Sequence, residues 1–375
     1  MSNNTLRDTL AATIVGQPDA LDAIVRRVKK FQAGLAPKNR PAGVFFLLGP
    51  TGTGKTHTVE ALAEALHGDR TKMITIHCGE YQVDHEVARF IGAPPGYMGH
   101  GVTTAAFTQQ KLTAVSSYGC GLSIILLDEI EKAAPTMGPI LLGMLSRGVL
   151  GLGDNTQVNF ENTIIFMTSN LGAREMMREI APQIGFQSAV PSNRDEVVKK
   201  LESVAMRAVE RKFSPEFVNR IDSVLTYHPL DAGSLAAIVD HEVDILQRLT
   251  GQLDKAFAVD VPPAVRQWLM EKGTNAKYGA RELKRTVDRH LIDPLADMVT
   301  AGVIEPGGCV RVGVGIDSLA LVAEAPQPRA VPAELVKGAA AAADGNELGY
   351  LAPTTPTNYN WKGTTPPEST KELPN

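Results

Sequence analysis

Short apolar runs recur along the first half of the chain at "VFFLL" (44–48), "MITIHC" (73–78), "SIILLD" (123–128) and "TIIFMTS" (163–169). Each is too short for an ordinary helix and too continuous for a strand with one face in water, so each predicts a strand covered on both sides. Between them the spacing changes to the helical period, in "HTVEALAEAL" (57–66) and "PILLGMLS" (139–146). That alternation predicts an α/β fold, a mostly parallel sheet flanked by helices. From about Ser234 the pattern shifts to amphipathic helices, "SLAAIVDHEVDILQRL" (234–249) and "ARELKRTVDRHLIDPLADMV" (280–299). Short β-rich runs accompany them at "KAFAVDV", "CVRVGV" and "LALVAE". The reading is a large domain over 1–229, a small α+β domain over 230–323, and a tail over 324–375. The tail is rich in Pro, Ala and Thr, has little to bury, and is expected to be disordered. Its Tyr350, Tyr359 and Trp361 read as incidental aromatics on a solubilising segment.

Composition narrows the picture only modestly. With 375 residues and 43% hydrophobic content the chain can bury a substantial core. The formal net charge of −4 carries no basic footprint for nucleic acid, and "RRVKK" reads as a solvated helix face. Cys78, Cys120 and Cys309 have no CxxC spacing, which fits a reducing cytoplasm. The N-terminus has no apolar leader and the apolar runs are too short to span a bilayer, so neither export nor a membrane is expected. His77 and His85 flank Cys78, but neighbouring side chains on a strand point to opposite faces, so no metal site is inferred there.

The candidate chemistry begins directly after the first strand, at "GPTGTGKT" (49–56). Gly49, Pro50, Thr51, Gly52, Thr53 and Gly54 form a loop whose backbone N–H groups cradle phosphates. Lys55 pairs with the terminal phosphates and Thr56 coordinates Mg²⁺. Such a loop needs a second strand ending in acid, and "SIILLDEIEKA" supplies it. Asp128 is suited to Mg²⁺ and Glu129 to acting as general base on the attacking water. A third strand ends in Asn170, whose amide can hold the same water or touch the γ-phosphate. ATP with Mg²⁺ is therefore the expected cofactor pair, and hydrolysis the expected reaction.

"IVGQPDA", "GPTGTGKT", "IGAPPGYMGH", "LLDEIEKA", "TSNLGA", "FSPEFVNRID" and "YGARELKR" together resemble the AAA+ superfamily. More narrowly they resemble the second ATPase domain of ClpB-, ClpC- and ClpA-type unfoldases, over about residues 10–322. The resemblance implies that Ile14, Val15 and Gly16 line the adenine pocket and that Arg220 is an arginine finger reaching a neighbouring subunit. It implies that Arg281 contacts the γ-phosphate in cis, and that the partners are copies of the same chain in a ring, a hexamer in the family. Tyr97 and Met98, on a Gly- and Pro-rich loop, would grip a polypeptide substrate in the ring's pore. Ile184, Gly185 and Phe186 match the tripeptide with which Clp unfoldases dock on a ClpP-like peptidase. The implied function is an ATP-driven, stress-response type protein unfoldase or remodelling chaperone.

Departures from that pattern are also visible. One ATPase unit is present, only a short run precedes "IVGQ", and "VTTAAF" replaces the acidic, Gly-rich stretch common after the pore tyrosine. Substrate choice is then expected to come from the pore, the tail or an adaptor. Three other readings stay open: an ATPase feeding a peptidase, a nucleic-acid motor or loader, and a nucleotide-dependent scaffold.

Overall fold

The structure is a computed structural model, and it describes residues 3–92, 105–180, 194–274, 279–316 and 318–325. All of these lie in one compact unit, Met1–Pro326. Helices α1 (Asn3–Thr13) and α2 (Pro18–Gln32) precede strand β1 (Gly43–Leu48) and helix α3 (Lys55–His67). Next come β2 (Ile74–His77), α4 (Asp84–Ile91), α5 (Gln109–Val115), β3 (Ser123–Asp128) and α6 (Met137–Arg147). A hairpin, β4 (Val149–Gly151) and β5 (Gln157–Asn159), leads into β6 (Thr163–Ser169). Helices α7 (Ala173–Ile180), α8 (Arg194–Lys212) and α9 (Pro215–Val218) then lead to β7 (Ser223–Thr226).

Five of these strands form one parallel sheet in the order β2-β3-β6-β1-β7. The reason is legible in β1: all six residues are buried, and their side chains alternate between two separate cores. Val44, Phe46 and Leu48 pack on one face with Phe90, Phe107 and Phe160. Phe45 and Leu47 pack on the other with α2 and α3, where Phe45 stacks on Phe166 at 5.3 Å between ring centroids. Because every strand runs the same way, the carboxyl ends of β1, β3 and β6 open on one edge. β6 lies between the other two, so whatever follows β6 sits between the loop after β1 and the acids after β3.

A third core is built from α10 (Ala232–Gly251), α11 (Pro263–Gly273), α12 (Ala280–Val287), α13 (Asp293–Thr300) and a three-stranded sheet. That sheet has the order β10-β9-β8, with β8 (Ala258–Asp260) parallel and β10 (Leu319–Glu324) antiparallel to β9 (Cys309–Val314). The stretch 280–299 reads as a single amphipathic helix, and the structure divides it. Residues Asp288–Ile292 take π geometry between α12 and α13. Pro294 near the start of α13 explains the change, since it has no N–H to donate and its ring crowds the carbonyl four residues back.

Candidate functional site

The loop after β1 is shaped by glycines that no other residue replaces cheaply. At Gly49 (φ 148°) an added Cβ would sit 2.4 Å from the Tyr227 carbonyl oxygen, so the loop lies flat on the end of β7. Gly54 takes a left-handed conformation and starts α3 with no side-chain cap, which leaves the helix N-terminus to an anion. Lys55 Nζ donates to the carbonyls of Gly49 and Pro50 at 2.7 and 2.9 Å and to Asn170 Oδ1 at 2.9 Å. Burial pushes the Lys55 ammonium down to about 8, against the opposing pull of Glu131, Asp128 and Glu129. Gln17, itself buried, braces the loop by donating to the carbonyls of Thr53 and His228 at 3.4 and 3.0 Å.

The acids stand across the cleft. Asp128 Oδ1 lies 3.4 Å from Thr56 Oγ1, and two hard oxygen ligands so placed suit Mg²⁺. Glu129 takes a left-handed backbone conformation (φ 54°, ψ 52°), which costs a non-glycine residue about 1–3 kcal/mol and tends to mark functional positions. Its carboxylate is held by Lys132 at 2.5 Å and by Asn170 Nδ2 at 3.4 Å. Thr168 Oγ1 contacts both acids, donating to Asp128 Oδ1 at 2.5 Å and accepting from the Glu129 amide at 3.0 Å. Glu131 Oε1 accepts from the Asn170 amide at 3.1 Å, while its Oε2 is buried and has no hydrogen-bond partner among the described residues. His77, at the end of β2, lies 3.6 Å from Asp128. Burial, with the nearby Asp128, Glu131 and Glu129 charges, pushes the Cys78 thiol up to about 12, so it stays protonated at neutral pH.

The α12 side closes the site. Gly279 approaches the loop so nearly that an added Cβ would sit 2.9 Å from the Gly52 oxygen, and Ala280 N–H donates to that same oxygen at 3.1 Å. Arg281 follows at the start of α12 and faces the cleft, where its charge adds to the depression of Lys55. Ile14, Val15, Leu230 and Ile238 add apolar side chains to the lining, and Glu242, also on the lining, pairs with Lys284 at 2.6 Å. The result is a cleft of about 530 Å³ that combines phosphate-type donors with apolar side chains able to meet a flat base.

Of the residues singled out from sequence, Ile14, Val15, Thr51 to Thr56, Asp128, Glu129, Asn170 and Arg281 line this one cleft. Gly16 and Pro50 do not face it. Gly16 (φ 79°) lets the chain pass Ser234, and Pro50 contributes its carbonyl to Lys55. Arg220 is exposed and also lies away from the cleft of its own chain. Tyr97, Met98, Ile184, Gly185 and Phe186 fall outside the described residues, as does the tail beyond 325. Gln17, Thr168, Glu131 and Gly279 were missed by sequence reasoning. All four sit inside stretches already quoted, close to residues with more familiar chemistry.

The family model described as AAA domain (Cdc48 subfamily) matches residues 40–224, and the C-terminal, D2-small domain of ClpB protein matches residues 230–312. The chain is 38% identical over 317 residues to Chaperone protein ClpB of Brucella suis biovar 1 (strain 1330), covering 84% of this chain and 33% of that protein. It is 35% identical over 305 residues to the negative regulator of genetic competence ClpC/MecB of Bacillus subtilis (strain 168), covering 80% and 36%. It therefore spans about a third of the length of these relatives. Among solved structures, a closed-state cryoEM reconstruction of Hsp104 with ATPyS and FITC casein superposes with a TM-score of 0.71. That match has 27% identity and covers 86% of this chain and 51% of the other.

Proposed function

The chain belongs to the AAA+ ATPases, in the branch with a ClpB-type small domain, and from that premise we propose that it drives protein unfolding or remodelling by hydrolysing ATP in a ring of identical subunits. The observation that carries this reading is the convergence of Lys55, Thr56, Asp128, Glu129, Asn170 and Arg281 on one cleft that Ile14, Val15, Leu230 and Ile238 also line. On this reading 1–229 and 230–323 are the two domains that contribute to the cleft, one holding the phosphate loop and acids, the other Arg281. The adenine ring would lie against Ile14 and Val15, and the triphosphate along the loop amides from Thr51 to Thr56. Thr56 and Asp128 would hold Mg²⁺, which neutralises phosphate charge. Glu129 takes a proton from the attacking water, which Asn170 orients. Arg281 meets the charge developing on the γ-phosphate in cis, and Arg220, turned outward, meets it from the neighbouring subunit.

Turnover is useful only if it moves something. The pore residues Tyr97 and Met98 would grip an extended polypeptide with little regard to sequence, which suits a general unfoldase. The similarity to a casein-bound Hsp104 supports a protein substrate. A second reading, delivery of the unfolded chain to a ClpP-like peptidase, rests on Ile184, Gly185 and Phe186 and on the similarity to ClpC. Among the described residues no helix is long and apolar enough to cross a membrane. The test is ATP-dependent loss of signal from a folded fluorescent reporter with an unstructured tag. Wild type should unfold it, and Tyr97→Ala should fail at an unchanged ATPase rate. Equal unfolding by both proteins would remove Tyr97 from the mechanism, and ATP turnover without unfolding by either would favour the scaffold.

A further inference from the structure

We infer that Thr168 is a positioning residue, whose single hydroxyl sets the geometry of Asp128 and Glu129 together; this rests on the ATPase reading above. Thr168 lies on β6 opposite Leu47 of β1, and it is one step beyond the Met167–Leu127 pair that joins β6 to β3. It is thereby level with Asp128, and it is 2% exposed. A backbone N–H can only donate, so the Glu129 amide fixes the direction of the pair of bonds: the hydroxyl oxygen accepts from Glu129 at 3.0 Å and its proton goes to Asp128 at 2.5 Å. The carboxylate end of that relay is a charge-assisted bond, the stronger kind.

Glu129 needs such a tether. Its left-handed backbone is sparsely populated for a non-glycine residue and persists only where the surroundings over-determine it. The Glu129 carbonyl accepts from the Lys132 amide at 2.9 Å, which fixes the far side of the residue. Thr168 fixes the near side. Thr168→Val would keep the β-branched shape in this buried strand while leaving the Glu129 amide without its acceptor and Asp128 with only the longer bond from Thr56 Oγ1 at 3.4 Å. Both acids would then drift by tenths of an ångström, enough to spoil the alignment of a water. Serine would lose a methyl group and keep both bonds.

The experiment compares wild type, Thr168→Val and Thr168→Ser in ATP turnover and in the affinity of a fluorescent ATP analogue with and without Mg²⁺. Thr168→Val should lower kcat by roughly 10- to 100-fold, as loss of a supporting hydrogen bond around a metal site does, and should blunt the gain in affinity that Mg²⁺ gives. Thr168→Ser should stay within about threefold of wild type in both, because the hydroxyl and not the packing is at issue. Near-wild-type turnover by Thr168→Val, or Thr168→Ser as impaired as Thr168→Val, would overturn the positioning role alone. A wild type that binds the analogue but never hydrolyses ATP would overturn the ATPase reading and this role with it.

Discussion

Lys55 is a cation in a nearly closed space, tied to two loop carbonyls and to Asn170. Burial brings its pKa from the ordinary 10.5 to about 8. Its proton is therefore held more tightly by the unfolded chain than by the folded one between those two values. Stability from this group is thus lowest while it is charged, and rises as pH climbs from about 8 towards 10.5. Nucleotide binding runs the other way, because a neutral amine offers phosphate no charge. Affinity for ATP should hold steady up to about pH 8 and then fall by up to about tenfold per unit, read by titrating a fluorescent analogue at several pH values. A flat profile up to pH 10 would show that Lys55 stays charged or does not carry the phosphate. Lys55, Asp128, Glu129 and Asn170 were legible because each ends a buried apolar strand or follows a glycine loop. Thr168 was not, since a threonine inside "TIIFMTS" looks like β-branched strand filling until its hydroxyl is seen between two acids.

Among elements, the contact between α12 and the phosphate loop couples the two parts of the cleft through backbone atoms, the Ala280 N–H donating to the Gly52 oxygen. Gly279 has φ 53° and meets the Gly52 and Thr51 oxygens at what would be 2.9 and 3.1 Å from a Cβ. Gly279→Ala should cost about 1–3 kcal/mol in denaturant unfolding from the strained conformation, and should weaken ATP binding by displacing Arg281. Unchanged stability together with unchanged affinity would mean that α12 does not rest on the loop. No sequence pattern announces this contact, because the partners are far apart in the chain and glycine carries no periodicity. Strands β1, β3 and β6 were readable for the opposite reason, as their burial on both faces wrote continuous apolar runs, whereas β2, read in the same way, is an edge strand with only Ile76 buried. β7 escaped because "SVLT" holds only two adjacent apolar residues, Val224 and Leu225, too short a run to stand out. The π segment at Asp288–Ile292 escaped because the amphipathic period survives the change in hydrogen bonding.

At the scale of the whole molecule, the cleft holds everything the proposed reaction needs except Arg220. That arginine is exposed two residues before Asp222, which accepts from Arg27 at 2.7 Å, from Arg40 at 2.9 Å and from the Val44 amide at 2.9 Å. The outward-facing arginine therefore springs from a braced segment at the foot of β7. Such a base suits a group that must meet a partner in a fixed pose. The claim that a neighbouring subunit completes the site is tested most directly by mixing two variants, Glu129→Gln and Arg220→Ala, and measuring ATPase activity. Each alone should be nearly inactive, one lacking the base and the other the cation. In a mixed ring, a Glu129→Gln subunit lends its intact Arg220 to a neighbour whose Glu129 is intact, so the mixture should turn over ATP well above either variant alone. A mixture no more active than the average of its two components would contradict a site shared between subunits.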